Sequence, residues 1–553
     1  MYSKLKIMLF LKGKKKCLWK LFYLCDIFFL VVISSCEKAE VLSESVQKQQ
    51  TSNGEIIVGE KVESPFLLRN MQRSIDSLST RSGLRSKIIL EPTHLYVRFL
   101  PLDTTEYERL VADKTLDLDP YPLDRKLTEG DSYHDPSLPQ GAITWQYTVV
   151  PVEYNLKDLG ITYEILEELY ILDENIDRED ISVSDNQLRS TNSTKFTWKM
   201  LVQEALIQTG IGKATLRSKW TPAATIKAYD DLMEKYIPIQ GVKVRIRYFS
   251  FLKAYHYTDV NGNVTFDDKR TSVEYSIEWE RDMWDIRDDG TQAYYHGPNQ
   301  KGRWNLNIGT GTQKSLHYSA IHRALYKYYY GDCCGLVRPS KSLKISYQTG
   351  RDPEGYSLGS TDPSIVRTWS WIFSAIKIYE KSFIKENGVI KERISPVSLV
   401  FSTTLHELAH ASHACRMSKS DYDNTSAFIK DSWAVAVEWY LSLNEYRKLR
   451  ASSYLMDYWN DKKSEQKWPE VNRSLIYSPL FVDMVDDDNQ SRYNSGTPDD
   501  EVSGYTLPLI DGKLVLMKNY VDVETFMKNN RPENVTVNQI NKFLKLYKEK
   551  WIN

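Results

Sequence analysis

The sequence predicts an α+β protein of several domains. Its 553 residues are too many for one hydrophobic core, and such a length suggests about three domains. Strand-like alternation of apolar and polar residues marks Val242–Tyr248 and Val273–Trp279. Helical spacing marks Ser395–Met417 and the run from Asp431 to Leu449, which hold no glycine and only one proline, Pro396. The chain divides accordingly into a leader (1–35), a tether (36–63), a small α+β domain (64–190), a helical connector (191–236), a β-sandwich module (237–290) and a mainly helical domain with a small sheet (291–553).

Composition narrows the function classes. Apolar residues make up 41% and charged residues 26%, as in ordinary globular chains. A formal net charge of −1 leaves no electrostatic footprint for nucleic acid. The 36 Tyr and 14 Trp suit carbohydrate or peptide contact, although plain core and surface packing is the simpler account.

The N-terminus reads as a targeting segment. Lys4, Lys6, Lys12, Lys14, Lys15, Lys16 and Lys20 precede a mostly apolar run from Leu21 to Ile33, then Ile33-Ser34-Ser35-Cys36. This is the layout of a bacterial signal peptide, and its last four residues resemble a lipobox. The apolar run is short for a membrane span, and polar Glu37-Lys38-Ala39-Glu40 follows at once. Cleavage before Cys36 and lipidation of Cys36 are expected. They would anchor the protein in the bacterial cell envelope, at the outer membrane, with a net charge of about −7. The polar stretch up to about Glu63 is the tether. Beyond it stand Cys333, Cys334 and Cys415, too few and too irregularly spaced for a disulfide framework or thiolate zinc ligands.

Between 64 and 190, His94–Pro101 and Gly141–Tyr154 read as strands, and Thr104–Asp113 and Ile161–Ile171 as helices. Lys195–Tyr236 reads as helical. Then GVKVRIRY, YTDVNGNVTF and YSIEW follow, with Asp259–Phe266 a tight turn feeding a strand. These three phrases resemble the transthyretin-like β-sandwich modules of carboxypeptidases and bacterial surface proteins. The Asp/Asn cluster is not an EF-hand loop, because Arg270 occupies the twelfth position. Ser319–Asp332 reads as a buried aromatic helix and Ser374–Lys381 as a short strand.

The decisive segment is SPVSLVFSTTLHELAHASHACRM, Ser395–Met417. On a helix, His406 and His410 lie one turn apart on one face, so both imidazoles can meet one cation. Glu407 sits one step round, placed to act as a base rather than a ligand. This is the HExxH pattern of zinc hydrolases. Zinc brings the pKa of the water it holds to about 7, and Glu407 would take that proton and pass it to the leaving amine. Three of the nine histidines fall within these eight residues, His413 being the third. His413 is expected to line the substrate side of the metal face or to pack as an ordinary histidine. The metzincin pattern is excluded, since the positions three and six after His410 hold His413 and Arg416.

A third ligand comes from Asp431 or Glu438, seven apart on the next helix. The string DSWAVAVE resembles the second active-site helix of gluzincins of the aminopeptidase branch. There the first acidic residue binds zinc, which favours Asp431, one methylene shorter than the usual Glu. Together the two helices resemble those of gluzincin-like metallopeptidase lipoproteins of the Bacteroidetes kind. The resemblance implies a zincin-like catalytic domain, bound Zn2+ and a peptide or protein substrate. It further implies an edge strand that pairs with peptide backbone, for which Ile376 and Ile378 are the candidates. A downstream Tyr that steadies the oxyanion is also implied, Tyr505 being preferred to Tyr493. The function expected is a membrane-anchored zinc peptidase. The rival reading is an inactive peptidase-fold binding lipoprotein of a surface uptake or adhesion system.

Overall fold

Backbone pairing, more than local propensity, decides the N-terminal part. In the computed structural model the described residues are 54–83, 88–171, 196–210, 219–352, 358–368, 373–386, 389–449, 478–487 and 501–549. Cys36, its leader and Tyr493 lie outside them. Helix Leu68–Arg81 (α1) precedes His94–Leu100 (β1), the centre of an antiparallel sheet with Gln146–Pro151 (β2) and Thr162–Leu169 (β3) on its two sides. Thr104–Ala112 (α2) starts where Asp103 accepts the Glu106 N–H at 2.9 Å. The helix expected over Ile161–Ile171 is instead β3. Its Ile, Leu and Tyr spacing suits either state, and pairing with β1 from Leu100↔Thr162 to His94↔Leu169 settles it.

The same correction applies to Lys195–Tyr236. Among its described residues only Trp198–Gln208 (α3) is helical; Ala223–Asp230 (β4) and Lys235–Pro238 (β5) form a hairpin. Ala224, Ile226 and Ala228 of β4 alternate into the core. Lys243–Tyr248 (β6), Leu252–Tyr257 (β7), Asn263–Thr265 (β8) and Val273–Glu278 (β9) follow. The Asp259 turn before β8 is a hairpin turn. Asp259 Oδ1 accepts the N–H of Asn261 at 2.9 Å and of Asn263 at 2.8 Å. Gly262 turns at φ +74°, where a Cβ would stand 2.3 Å from the Ile226 carbonyl oxygen.

After β9 the chain leaves for another sheet with Glu280–Arg281 (β10), Trp284–Asp288 (β11) and Thr291–Gln292 (β12). It then returns as Tyr294–Gln300 (β13) and Trp304–Ile308 (β14). One four-stranded sheet has the order β13-β9-β6-β7; the other runs β8-β4-β14, with β5 also on β4. Their apolar faces share one core. The β module expected at 237–290 thus spans Ala223–Ile308, interleaved with its neighbour. Val244 and Ile246 of β6 face that core, but the opposite face is not left to water. Arg245 and Arg247 are buried beneath the segment carrying Asp119, which pairs with Arg245 and lies 3.0 Å from Lys253.

Gln313–Tyr329 (α4), Leu343–Gln348 (β15), Gly359–Thr361 (β16), Pro363–Thr368 (α5) and Ile376–Tyr379 (β17) come next. The six-stranded sheet has the order β10-β11-β15-β17-β16, with β12 on β11. Its β11, β15 and β17 are parallel and β16 is the antiparallel edge. A hairpin, Lys381–Glu386 (β18) and Val389–Ile394 (β19), leads to Val397–Cys415 (α6), Lys419–Asp423 (α7) and Ala427–Leu449 (α8). Helix α6 packs on α4, on α8 and on β16. Among the described residues no helix is long and apolar enough to cross a membrane.

Two adjacent carboxylates at the end of β4 hold these three helices. Asp230, fully buried, accepts from Arg323 of α4 at 2.8 Å and from the Tyr446 hydroxyl of α8 at 3.0 Å. Asp231 accepts the Ser398 N–H of α6 at 2.9 Å. Pro396, the residue before α6, offers no side-chain cap, so Asp231 supplies it from a distant part of the chain. Removing one partner of a buried ion pair costs about 3–5 kcal/mol, whereas losing a cap costs about 1 kcal/mol. Urea unfolding is therefore expected to show a much larger loss for Asp230→Ala than for Asp231→Ala; equal losses would contradict this assignment.

Candidate metal centre

Helix α6 is buried almost all round, from Val397 and Val400 through Leu405, Leu408 and Ala411. Its histidines are therefore largely enclosed, His406 and His410 keeping 9% and 13% side-chain exposure. His406 and His410 face α8, which begins at Ala427, four residues before the start expected from the sequence. Asp431 thus lies in the second turn of α8, not at its cap.

One ligand atom from each of His406, His410 and Asp431 lies within 4.8 Å of the other two. The two Nε2 atoms are 3.2 Å apart, and His410 Nε2 is 3.6 Å from Asp431 Oδ1. A tetrahedral zinc with nitrogen ligands about 2.05 Å away sets neighbouring ligand atoms about 3.3 Å apart. The two edges that meet at His410 lie near that length, and the nitrogen and oxygen donors are of the types zinc takes. The side chains are 9–15% exposed, enclosed but reachable.

Glu438 occupies a different place. Its Oε2 lies 3.2 Å from His406 Nδ1, the nitrogen turned away from His410. A carboxylate there orients the imidazole and fixes its tautomer. Burial works against a charge on His406, but the Glu438 hydrogen bond and the carboxylates of Glu407, Glu438 and Asp431 outweigh it and hold its pKa at about 9. The pocket is thus electrostatically arranged for positive charge.

Glu407 is buried, and its Oε2 accepts from the Thr361 hydroxyl at 2.8 Å. Thr361 ends β16, and Gly359 begins it. A Cβ on Gly359 would stand 2.9 Å from Glu407 Cγ and Oε1, so only glycine lets the strand come this close. Neither residue carries a sequence signal that would have singled it out.

Two sequence expectations are corrected, and the open one for His413 is decided for ordinary packing. Ile376 and Ile378 lie on β17, paired with β15 on one side and β16 on the other; both are buried, so they are core residues and the open edge belongs to β16. Tyr505 is buried, and its hydroxyl is spent on the Met527 carbonyl at 2.8 Å, leaving no donor for a substrate. His413 is fully enclosed and packs edge-on against Tyr422, with ring centroids 5.3 Å apart, so it lines no substrate surface. The residue missed is Tyr422 of α7. Burial first, then the charges of the Asp431 and Glu407 carboxylates, push its phenol well above the usual range.

Burial pushes the His413 pKa down to about 3. The folded chain therefore disfavours its protonation. The stability contributed by neutral His413 is complete above pH 6.5 and falls as pH drops from 6.5 towards 3, with a slope of at most about 1.4 kcal/mol per pH unit. Stability measured against pH on the chelator-treated protein should show a shallower acid slope in His413→Gln than in wild type; an unchanged slope would contradict the burial of a neutral imidazole there.

No family model matches the sequence, and no curated protein matches it significantly. Among solved structures, a 9R-lipoxygenase from Cyanothece PCC8801 shares 8% identity at a TM-score of 0.12, over 40% of this chain and 49% of that one. The chain spans about half the length of that neighbour, and a likeness so slight carries no argument.

Proposed function

We propose that the protein is a zinc-dependent peptidase, with His406, His410 and Asp431 as metal ligands and Glu407 as general base. The observation that carries this is the convergence of one ligand atom from each of His406, His410 and Asp431 within 4.8 Å of one another, with Glu407, next in the helix to His406, hydrogen-bonded by Thr361. Zinc held there supplies Lewis acidity, polarising a carbonyl and acidifying water. Glu407 takes a proton from the attacking water and delivers it to the leaving amine. Glu438 keeps His406 turned towards the ion.

The open edge of β16 suits an extended peptide. Among the described residues β16 is paired on one side only, and Thr361 at its end touches Glu407. A substrate strand added there brings its backbone past the general base. The lipobox-like Ile33-Ser34-Ser35-Cys36 supports an anchored location in the cell envelope.

Purified protein should hold about one zinc per chain by this ligand logic. Asp431→Ala should strip the metal, while Glu438→Ala should weaken it only by about 10–100-fold. The reverse order, read by zinc titration, would exchange their roles. Glu407→Gln should keep zinc and lose about 10²–10⁴-fold in hydrolysis of a broad peptide library. Tight zinc with no cleavage by wild type would replace the peptidase reading with the binding-lipoprotein one.

A further inference from the structure

Inside this protein a sheltered cation as a rule has a close acid. Lys314 sits 2.7 Å from Asp288, Arg323 2.8 Å from Asp230 and Arg416 2.6 Å from Asp511. Arg367, at the end of α5, departs from this rule. Its side chain is only 12% exposed, yet its ion-pair partner among the described residues is half-exposed Asp423, 3.9 Å away. Its Nη1 is enclosed without an acceptor among the described residues. Leaving such a donor unpaired is costly unless something else completes it.

The place of Arg367 makes the vacancy informative. Thr361, which bonds Glu407, lies six residues earlier, and α5 packs on α6. The Arg367 guanidinium stands 5.4 Å from the Tyr422 ring centroid, and Lys430 Nζ 4.8 Å from it. Lys430 has no ion-pair partner among the described residues, only the Tyr422 carbonyl at 3.4 Å. Two under-paired cations therefore share one aromatic ring beside the proposed metal centre.

Resting on the peptidase reading, we propose that Arg367, assisted by Lys430, is a carboxylate-binding subsite. The substrate then carries an acidic group close to the cleaved bond, either its free C-terminal carboxylate or an Asp or Glu side chain. A planar guanidinium binds such a group through two parallel hydrogen bonds, replacing the loose approach of Asp423. Lys430 adds charge without fixing geometry.

The test uses the full chain with zinc and matched hexapeptides having free or amidated C-termini and Glu or Gln at each internal position. Peptides bearing the carboxylate should be cleaved with kcat/KM about 10–100-fold higher than neutral ones, the worth of a charged hydrogen bond. Arg367→Met should erase that preference, the loss of selectivity being read in KM. Arg367→Lys should retain part of it. Loss of preference on amidation identifies the terminal carboxylate; loss on Glu→Gln exchange identifies the side chain. Equal cleavage of acidic and neutral peptides, or a preference that survives Arg367→Met, overturns the proposal. If wild type cleaves nothing, the peptidase reading fails separately. Fluorescence anisotropy of the same peptides then decides the subsite: carboxylate-dependent binding lost in Arg367→Met supports it, and its absence overturns it.

Discussion

The centre depends on one constraint, the pair of carboxylates where β4 ends. Asp230 reaches α4 and α8, Asp231 reaches α6, and the two side chains hang from consecutive residues of one strand. A single backbone position thereby fixes the mutual placement of the helices that carry His406, His410 and Asp431. The arrangement tolerates little slack, because Asp230 is fully buried and a buried carboxylate is affordable only while both its donors stay in place. The sheet that carries β4 is therefore the footing of the helices bearing His406, His410 and Asp431 rather than an appended module.

The parts legible in the sequence were those set by short-range spacing. Two histidines four apart meet on any helix, and Asp431 and Glu438 share a face because seven residues make two turns. The division of labour between those acids was open in the sequence and is drawn by tertiary geometry: one stands beside His410, the other behind His406. What could not be read was set by partners far along the chain. Ile161–Ile171 and the end of the expected connector have compositions that serve helix or strand, and only pairing to distant strands decides between them. Gly359 and Thr361 matter because β16 runs against Glu407, a relation of 46 residues that no local pattern encodes.

Alternation located β6 but not what covers its charged face. In β6 the apolar residues face the core as expected, but the Lys/Arg face is covered too. Arg245 and Arg247 are matched by Asp119 and Glu274 instead of water. A charged stripe on a strand does not by itself mean a solvated face; it can mark where another segment docks by ion pairing. The contrast with Arg367 follows from the same chemistry, since there the matching acid is half-exposed and distant.

The interleaving of the two sheet systems governs when this protein can be complete. Strands β10–β12 depart from the sandwich between β9 and β13 and join the six-stranded sheet, so neither body has a continuous stretch of chain to itself. Contacts of long sequence separation slow folding, since the loop must close before the contact contributes. Asp231 waits for Ser398, 167 residues on, and Asp230 for Tyr446, 216 residues on. A nascent chain therefore passes through most of its synthesis before these bonds can form, and a fragment ending before Tyr446 lacks the α8 donor to Asp230. The placement of His406, His410 and Asp431 against one another is, on this topology, acquired late.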